Sequence, residues 1–493
     1  MRISTSTLYD ANVATLTQVQ ANLLHTQQQV STGRRILTPA DDPANAARVL
    51  ELTQSAESNA QFSANRNEAR HSLSLSESTL SSVTSLLLDV RTSAVQAGDG
   101  VLSLSDKQAL AIEYRGRLDE LIGLANSTDG LGNYLFSGFQ GQTLPFFKGP
   151  SSVQYMTDDG QRLVQVSGSR QVASSESGAD VFMRIKNGNG TFIAQAAAAN
   201  TGSGIISQGV VTNPALVTGH NYTIAFAPPA APATSNIGNG TISTPTGTPA
   251  TTDDYTIVFT SATTYEVYAT TTTVPPVGPT LDSTGTYTSG QSFNLYGLQF
   301  NIQNGTVPFV AGDKFTVASS PGYTVTDTTN VPNTMVLPAA PAGRVPYVSG
   351  QVISFDGVQL DISGTPNNGD TFTISPSTNE SIFQTISDLI AALESGLTSA
   401  QFTNNLNKAL NSLDRDLDNI LRVRASVGAR LHELDALQNS GDDLGLQFKQ
   451  AISQLQDVDY NKAVSDLTQQ QINLEAAQKS FLRITEMSVF NYM

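Results

Sequence analysis

The stretch STGRRILTPADDPANAARVL, residues 31–50, contains the end of one helix and the start of another within about ten residues. Gly33 is a helix stop signal, because glycine readily adopts the left-handed conformation found at helix ends. Asp42 can cap the next helix, and Pro43 suits its first turn, where the missing N–H would be unpaired in any case. The pattern predicts two helices joined by a short charged segment, residues 33–42, which we call the elbow.

Helical periodicity extends from the elbow in both directions. After it the pattern stays helical to about Ala97, a length of about 80 Å at 1.5 Å per residue, and a further helix is indicated from Asp106 to Asn126. Before it, residues recur at alternating spacings of four and three, which is typical of a coiled-coil seam. This N-terminal seam consists of Tyr9, Val13, Leu16, Gln20, Leu23, Gln27 and Val30.

The C-terminal end carries a matching seam. Helical patterns return after Glu380, and the last of them repeats the same spacing at Tyr460, Ala463, Leu467, Gln470, Leu474, Ala477, Phe481 and Ile484. We therefore expect the chain to fold back so that its two terminal helices pair. Because the N-terminal seam includes two glutamines, the pair should be weak in isolation, and we hypothesise that neighbouring molecules complete its order.

The middle of the chain has a β pattern. SVQYM and RLVQVSG, on either side of the TDDG turn, indicate a hairpin, and VFMRIKNGNGTFIAQ indicates a strand, a turn and a strand. Residues 204–377 are rich in Thr, Gly and Pro and alternate with period two. They contain an internal repeat, residues 287–317 against 347–374, whose two units could form a sandwich or stand as two small lobes.

These patterns predict an α+β multidomain fold: a long antiparallel helical bundle or coiled coil formed by both chain ends, a β-hairpin region and a distal all-β insert. The predicted division is a coiled-coil helix at 1–42 that pairs with 455–493, long helices and hairpins at 43–203, the β insert at 204–377, core helices at 378–454 and the C-terminal coiled-coil helix at 455–493.

Composition excludes several classes of protein. The formal net charge of −16 opposes binding to a nucleic-acid backbone. The chain has no cysteine, which excludes disulfides and thiolate metal sites. Because no window approaches the apolar run of about 18 residues needed to span a membrane, and the N-terminus lacks an apolar signal region, we expect neither membrane insertion nor export by a cleaved signal peptide.

No pattern indicates catalysis. HELDA at 432–436 has Ala where the second histidine of a zinc-protease helix would stand, so His432 and Glu433 are interpreted as polar faces of a helix. NGNGT at 187–191 is best interpreted as a hairpin turn. We therefore predict no enzyme activity, catalytic residue, cofactor or metal. The elbow charges Arg34, Asp41 and Asp42 fit a solvated helix break or a contact with neighbours, and the sequence leaves both open.

Several motifs together resemble the bacterial flagellin superfamily, and within it the hook-associated branch found at the hook-filament junction. They are the elbow stretch with its TPADDP, NYLFSGFQGQTLPF, VFMRIKNGNGTF, SVGARLHELD, the helix from DDLGLQFKQ to AAQKSF, and ITEMSVFNYM at the C-terminus. The resemblance covers roughly the first 200 and the last 110 residues. The central β region is similar to inserts in longer members.

The resemblance implies a structural protein of the extracellular flagellum, supporting filament assembly and motility. Its partners would be the first hook-associated protein, flagellin, its own copies in a ring, an export chaperone and the type III export apparatus. By carry-over, the seam residues would form an inner coiled coil and the elbow residues would contact neighbours. The assembly residues so expected are Val13, Leu16, Leu23, Val30, Arg34, Asp41, Asp42, Pro43, Leu467, Leu474, Phe481 and Ile484.

Two rival interpretations remain from the sequence. A flagellin-type filament subunit would share both chain ends. A secreted adhesin with a coiled-coil stalk and a β head would share the architecture, but it would normally need an export signal or membrane anchor, and neither is visible.

Overall fold

The computed structural model describes residues 5–98, 102–150, 152–227, 230–233, 235–243, 245, 253–270, 280–318, 322–337, 344–367 and 369–490. Its helices are α1 (Thr5–Thr32), α2 (Pro43–Ala97), α3 (Leu104–Ala125), α4 (Gly178–Phe182), α5 (Ile382–Glu394), α6 (Ser399–Gln456) and α7 (Tyr460–Phe490). Both helices predicted beside the elbow are therefore present.

The strands are short and antiparallel. They are β1 (Phe146–Lys148), β2 (Val153–Tyr155), β3 (Leu163–Ser167), β4 (Arg170–Ala173), β5 (Ile185–Lys186), β6 (Phe192–Ala196), β7 (Ile205–Ile206), β8 (Val210–Val211), β9 (Tyr222–Ala227), β10 (Ala230–Pro232), β11 (Thr241–Ile242), β12 (Asp254–Ser261), β13 (Thr264–Thr270), β14 (Thr280–Thr286), β15 (Gln291–Leu295), β16 (Leu298–Gln303), β17 (Lys314–Val317), β18 (Gly322–Asp327), β19 (Thr334–Leu337), β20 (Val345–Pro346), β21 (Val352–Phe355), β22 (Val358–Ser363), β23 (Thr371–Pro376) and β24 (Asn379–Glu380).

The chain divides into two compact units. The terminal unit contains Met1–Ser74, Leu163–Ser174 and Gly428–Met493. The central unit contains Leu75–Arg162 and Ser175–Val427. Within the terminal unit α1 packs against α7, and within the central unit α3 packs against α5. The predicted α+β class with paired terminal helices is confirmed, whereas the five-part division of the chain stays a prediction.

The hairpin predicted around TDDG is wrong. Strand β2, from SVQYM, pairs with the preceding strand β1, so that Tyr155 lies opposite Phe146. Strand β3, from RLVQVSG, pairs with the following strand β4 and not with β2. The turn residue Asp158 accepts hydrogen bonds from the N–H groups of Phe139 and Gly160 at 2.9 and 2.8 Å, so it anchors a loop and closes no hairpin. VFMRIK also differs from the prediction, because its first part belongs to α4.

The β region forms two lobes, each with a larger and a smaller sheet around its own core. The host lobe contains residues 192–227 and 322–376. Its larger sheet has the strand order β19-β18-β9-β23-β6, with β20 on β18, and its smaller sheet has the order β21-β22-β7, with β8 on β22. The buried side chains between them include Ile224, Phe355 and Phe372.

The nested lobe, residues 230–317, lies in sequence between β9 and β18 of the host lobe. Its larger sheet has the order β10-β17-β12-β13-β14 and its smaller sheet the order β11-β16-β15. Each strand corresponds in position to one of the host lobe. The two predicted repeat units thus do not pair with each other, since each completes the core of its own lobe.

Equivalent hydrogen bonds show that the nested lobe duplicates the host lobe. The hydroxyl of Tyr287 donates to the carbonyl of Ile302 at 3.1 Å, and that of Tyr347 donates to the carbonyl of Ile362 at 3.0 Å. Each lobe also has one buried carboxylate that accepts hydrogen bonds from three equivalent main-chain N–H groups. That of Asp313 accepts from the N–H groups of Ile237, Gly238 and Val310, and that of Asp370 accepts from those of Thr201, Gly202 and Asn367.

Candidate assembly surface

The elbow begins at a glycine that the local geometry requires. Gly33 follows the last residue of α1 and has a φ of 72°, in the left-handed region that other residues enter at a cost. A Cβ at this position would lie 2.9 Å from the hydroxyl oxygen of Tyr460, which starts α7. The predicted stop at Gly33 is therefore correct for two reasons, the backbone conformation and the close approach of α7.

The elbow ends at the predicted cap of α2. The Asp42 carboxylate accepts a hydrogen bond from the N–H of Asn45 at 3.2 Å, and Pro43 is the first helical residue. Arg35 approaches the same carboxylate with Nη1 at 3.4 Å from Oδ2. Hydrogen bonds from Asn45, followed by that from Arg35, lower the pKa of Asp42 below its ordinary value. Its charge thus stabilises the start of α2.

Asp41 closes the elbow on itself. One carboxylate oxygen accepts from the N–H groups of Leu37 and Thr38 at 2.9 and 2.8 Å. The other lies 3.1 Å from Nε2 of His25 on α1. The Thr38 hydrogen bond is the largest influence, and together these groups lower the pKa of Asp41 to about 2. Both elbow carboxylates therefore have partners inside the chain.

A second helix break lies beside the elbow, close to the boundary predicted at 454/455 between the core helices and the C-terminal coiled-coil helix, although no stop or cap residue was identified there. Residues 457–459 separate α6 from α7, and the Asp459 carboxylate accepts from the N–H of Asn461 at 3.0 Å at the start of α7. The N–H of Arg35 donates to the carbonyl of Gln456 at 2.6 Å, and the N–H of Val458 donates to that of Gly33 at 3.0 Å. The two breaks are thus held together by main-chain hydrogen bonds.

The seam residues of α1 and α7 face each other but are only partly covered. Tyr9 and Phe481 have ring centroids 5.4 Å apart, and Ala463 is buried. Val13 remains 40% exposed. Gln20, Gln27 and Tyr460 are exposed as well. The half-buried seam residues are Leu16, Leu23, Val30, Leu467, Gln470, Leu474, Ala477 and Phe481. Ile484 falls outside the residues whose side chains the structure describes.

Apolar side chains also point away from the α1 and α7 pair. Leu24 on α1 and Ile472 and Leu482 on α7 are more than half exposed. Arg34 is exposed too, and its guanidinium makes no hydrogen bond or ion pair with the residues that are described. The terminal unit therefore presents an incompletely covered apolar surface with one unpaired cation at its elbow. Such a surface is typical of a segment that binds another protein chain.

No helix within the described ranges is long and apolar enough to cross a membrane. Among the same residues, no group of three or more His, Asp or Glu side chains could hold a metal ion. The surface therefore consists of exposed apolar side chains, the charged residues of the elbow and the ends of α1, α2, α6 and α7.

Family models and related proteins match this arrangement. Residues 3–141 match the bacterial flagellin N-terminal helical region, and residues 410–493 match the bacterial flagellin C-terminal helical region. The chain therefore carries both helical regions of the bacterial flagellin type, one on each side of its β-rich segment.

The chain is also similar to flagellar hook-associated protein 3. The chain is 36% identical to that protein of Salmonella typhimurium over 185 residues and 35% identical to that of Escherichia coli over 182 residues. These matches cover 38% and 37% of this chain and 58% and 57% of the relatives, so the similarity spans less than two thirds of their length.

A solved structure extends the likeness. The crystal structure of the flagellar junction protein FlgL from Legionella pneumophila has a TM-score of 0.60 and 26% sequence identity. The likeness covers 83% of this chain and all of that chain.

Proposed function

We propose that the protein is a structural component of the bacterial flagellum that forms the junction between hook and filament. One observation carries the proposal: two terminal helices pair along a seam that stays half-exposed, and an elbow ties them to the long helices. A seam left open in one copy suits a protein whose neighbours complete it. The similarity to hook-associated protein 3 and to a flagellar junction protein supports the same place in the flagellum.

The proposed partners follow from that place. Copies of the chain form a ring that contacts the first hook-associated protein on the hook side and flagellin on the filament side. The protein is secreted through the flagellar channel by the type III apparatus, and an export chaperone binds it beforehand. Its role is structural, with no catalytic step.

The proposed assembly residues are those of the seam and the elbow. Val13, Leu16, Leu23, Val30, Leu467, Leu474, Phe481 and Ile484 contribute apolar contacts between copies, and Arg34 is free to pair with a neighbour's carboxylate. Asp41, Asp42 and Pro43 act chiefly by holding the elbow in shape, since both carboxylates already have partners within the chain.

Deletion of the gene tests the proposed function. We expect intact hooks without filaments, with flagellin released into the medium, and rescue by the full-length gene. Immunogold labelling of isolated hook-basal bodies should place the protein in a band at the distal end of the hook. Filaments that persist after deletion, with label along their length, would instead indicate a filament subunit.

A further inference from the structure

A groove opens in the terminal unit between α2 and α6. It encloses about 340 Å³ and is lined by the apolar side chains of Phe62, Leu437, Leu444 and Phe448, with the turn of the β3–β4 hairpin at one side. This volume lies at the lower end of the range for small-molecule pockets, which is about 300–1,000 Å³. The groove therefore suits one large side chain with its flanking backbone.

A buried arginine forms part of the groove lining. Arg66 on α2 is 2% exposed. Its Nε donates to Oε1 of Gln438 at 2.9 Å, and its Nη1 donates to the carbonyl of Val166 at 2.8 Å. Its Nη2 has no hydrogen-bond partner among the described residues. An unsatisfied buried donor on a charged group is costly, so this atom marks a point of local destabilisation beside the groove.

The opposite helix is shaped around that guanidinium. Gly441 lies in the middle of α6, where glycine weakens a helix. A Cβ at Gly441 would overlap Nη2 of Arg66. The amide of Asn59 donates to the carbonyl of Gly441 at 2.6 Å and holds the two helices at this close distance. Glycine lowers the stability of the helix at this position, but its missing side chain leaves the space that the guanidinium of Arg66 occupies.

A rigid aromatic side chain is exposed in the central unit. Phe139 is 66% exposed. Its N–H and that of Gln140 donate to the Asp158 carboxylate at 2.9 and 3.2 Å. One edge of its ring lies against Gly160, where any Cβ would overlap it. The phenyl ring is therefore held in one position while most of its surface faces solvent.

Two further apolar side chains are exposed in the neighbouring hairpin. Phe147 on β1 is 53% exposed and Met156, which follows β2, is 56% exposed. Fixed aromatic side chains that project from a surface are enriched among the residues that carry most of the energy of an interface. The Phe139 loop, residues 137–142, therefore has the properties of an interface anchor.

We propose that Phe139 of one copy inserts into the groove between α2 and α6 of a second copy. Size and charge favour this occupant. The groove accommodates one aromatic side chain, and the carboxylate of Asp158 stands at the base of the Phe139 loop while the groove holds a buried cation. Each copy carries both surfaces, so the contact joins two different patches and repeats from copy to copy.

This inference deepens the proposed function, because a ring or helix of copies needs such a head-to-tail contact. The inference rests on the proposed function only in assigning the contact to the hook-filament junction. The contact itself can be measured on the purified full-length chain, independently of the flagellum.

The absence of cysteine from the chain allows a direct test. We choose Gln140→Cys, which leaves Phe139 in place, and Ser440→Cys on α6 at the groove. The two variants are mixed at high concentration and oxidised, both as purified chains and in isolated flagella. We expect a disulfide-linked dimer that contains one copy of each variant. Leu281→Cys, an exposed position in the nested lobe, replaces Gln140→Cys as the control and should give no such dimer.

Removal of the aromatic ring supplies the second variant. Phe139→Ser in the Gln140→Cys background should lower the dimer yield about tenfold or more, as expected for loss of an interface anchor. Leu131→Ser, which removes a different exposed apolar side chain, should leave the yield unchanged.

The outcomes separate the two proposals. No mixed dimer in either preparation, or a yield that Phe139→Ser leaves unchanged, overturns the contact. If the mixed dimer forms but the label is absent from the hook end, the contact stands and the proposed function fails. Dimers of Gln140→Cys alone at equal yield would show symmetrical loop pairing and also overturn the proposal.

Discussion

Asp416 on α6 is a carboxyl group that the central unit encloses. It is 2% exposed, and its Oδ2 has no hydrogen-bond partner in the described part of the chain. Burial is the main cause that raises the pKa of Asp416 well above its ordinary value, and the nearby charge of Glu380 acts in the same direction. The folded protein therefore favours the protonated acid at this position.

Replacement of Asp416 by Asn should stabilise the protein at alkaline pH. Because the pKa of Asp416 is higher in the folded than in the unfolded chain, its contribution to the free energy of unfolding is complete below the ordinary value of 3.8 and is lost as pH rises through the folded-state pKa. We expect Asp416→Asn to raise the free energy of unfolding by about 1–3 kcal/mol at pH 8 and by less at pH 4.

Denaturant unfolding of the full chain at both pH values measures this effect. Asp418→Asn, two residues along α6 and exposed, is the matched control and should change neither value by more than about 0.5 kcal/mol. A lower stability of Asp416→Asn at pH 8 would show that the ionised form is satisfied after all.

Asp41 behaves in the opposite sense. The pKa of its carboxyl group is lowered to about 2, so the stabilisation of the elbow is present above the ordinary value of 3.8 and is lost as pH falls toward 2. Asp41→Ala removes the acceptor of the Leu37 and Thr38 N–H groups at every pH. We expect faster amide exchange at these two residues at neutral pH, with Asp10→Ala as an exposed control. Unchanged exchange at both amides would contradict this role.

Single residues were predictable where their effect is local. Gly33, Asp42 and Pro43 act within one helix turn, so helix-capping rules were enough to identify them. Arg66 and Asp416 could not be recognised in the same way. Their burial depends on segments distant in the sequence, such as Gln438 beside Arg66. A charged residue on a helix is normally solvated, and nothing in its own sequence window shows the difference.

At the scale of elements, the elbow can be tested with two glycines in contrasting positions. Gly33→Ala must place an L side chain at a φ of 72°, which costs about 1–2 kcal/mol. Gly116→Ala lies inside α3 with open space around the new Cβ, and it should stabilise that helix by about 1 kcal/mol. Denaturant unfolding followed by circular dichroism measures both changes. Equal effects of the two substitutions would show that Gly33 is not conformationally required.

Helix periodicity predicted the long elements well, because each repeats its apolar spacing over many turns. The domain boundary predicted at 454/455 lies close to the break at residues 457–459, but Asp459 was not identified as its cap, although its position resembles that of Asp42. The strand pairing around TDDG was wrong because turn residues indicate a reversal of the chain but not which strands hydrogen-bond. Asp158 fixes the Phe139 loop, and that contact is not local.

At the scale of the whole molecule, the nested lobe should be removable. Ala227 and Gly322 are directly opposite each other in the β9–β18 pair. In the shortened chain the nested lobe is deleted and Ala227 is joined to Gly322 by the dipeptide Ala-Thr. This is the turn formed by Ala262 and Thr263 between β12 and β13, so the host lobe would have the same hairpin as the nested lobe. We expect the shortened chain to fold with the β23–β9–β18 sheet intact, because the host core consists of residues outside the nested lobe.

Cooperative unfolding and the strand signal in circular dichroism check the shortened chain, and restored motility in the deletion strain checks its function. The matched control joins residues 221 and 328 in the same way and so removes β9 and β18. That chain should aggregate. Aggregation of both chains would contradict the independence of the host core.

The duplication was only half visible in the sequence. Residues 287–317 and 347–374 align over a long stretch, whereas NTGSGIIS at 200–207 and NIGNGTIS at 236–243 are short. YTIAF at 222–226 and YTIVF at 255–259 match as well. One lobe interrupts the other, so the equivalent segments stand at unequal spacings, and a search for a constant period overlooks them.

The hairpin that joins β12 to β13 occupies, in the nested lobe, the position at which the host lobe accepts its insertion. An epitope tag or a fluorogenic peptide placed between Ala262 and Thr263 would extend a turn without interrupting a core strand. Flagella could then be labelled in living cells through a chain whose assembly surfaces keep their native sequence.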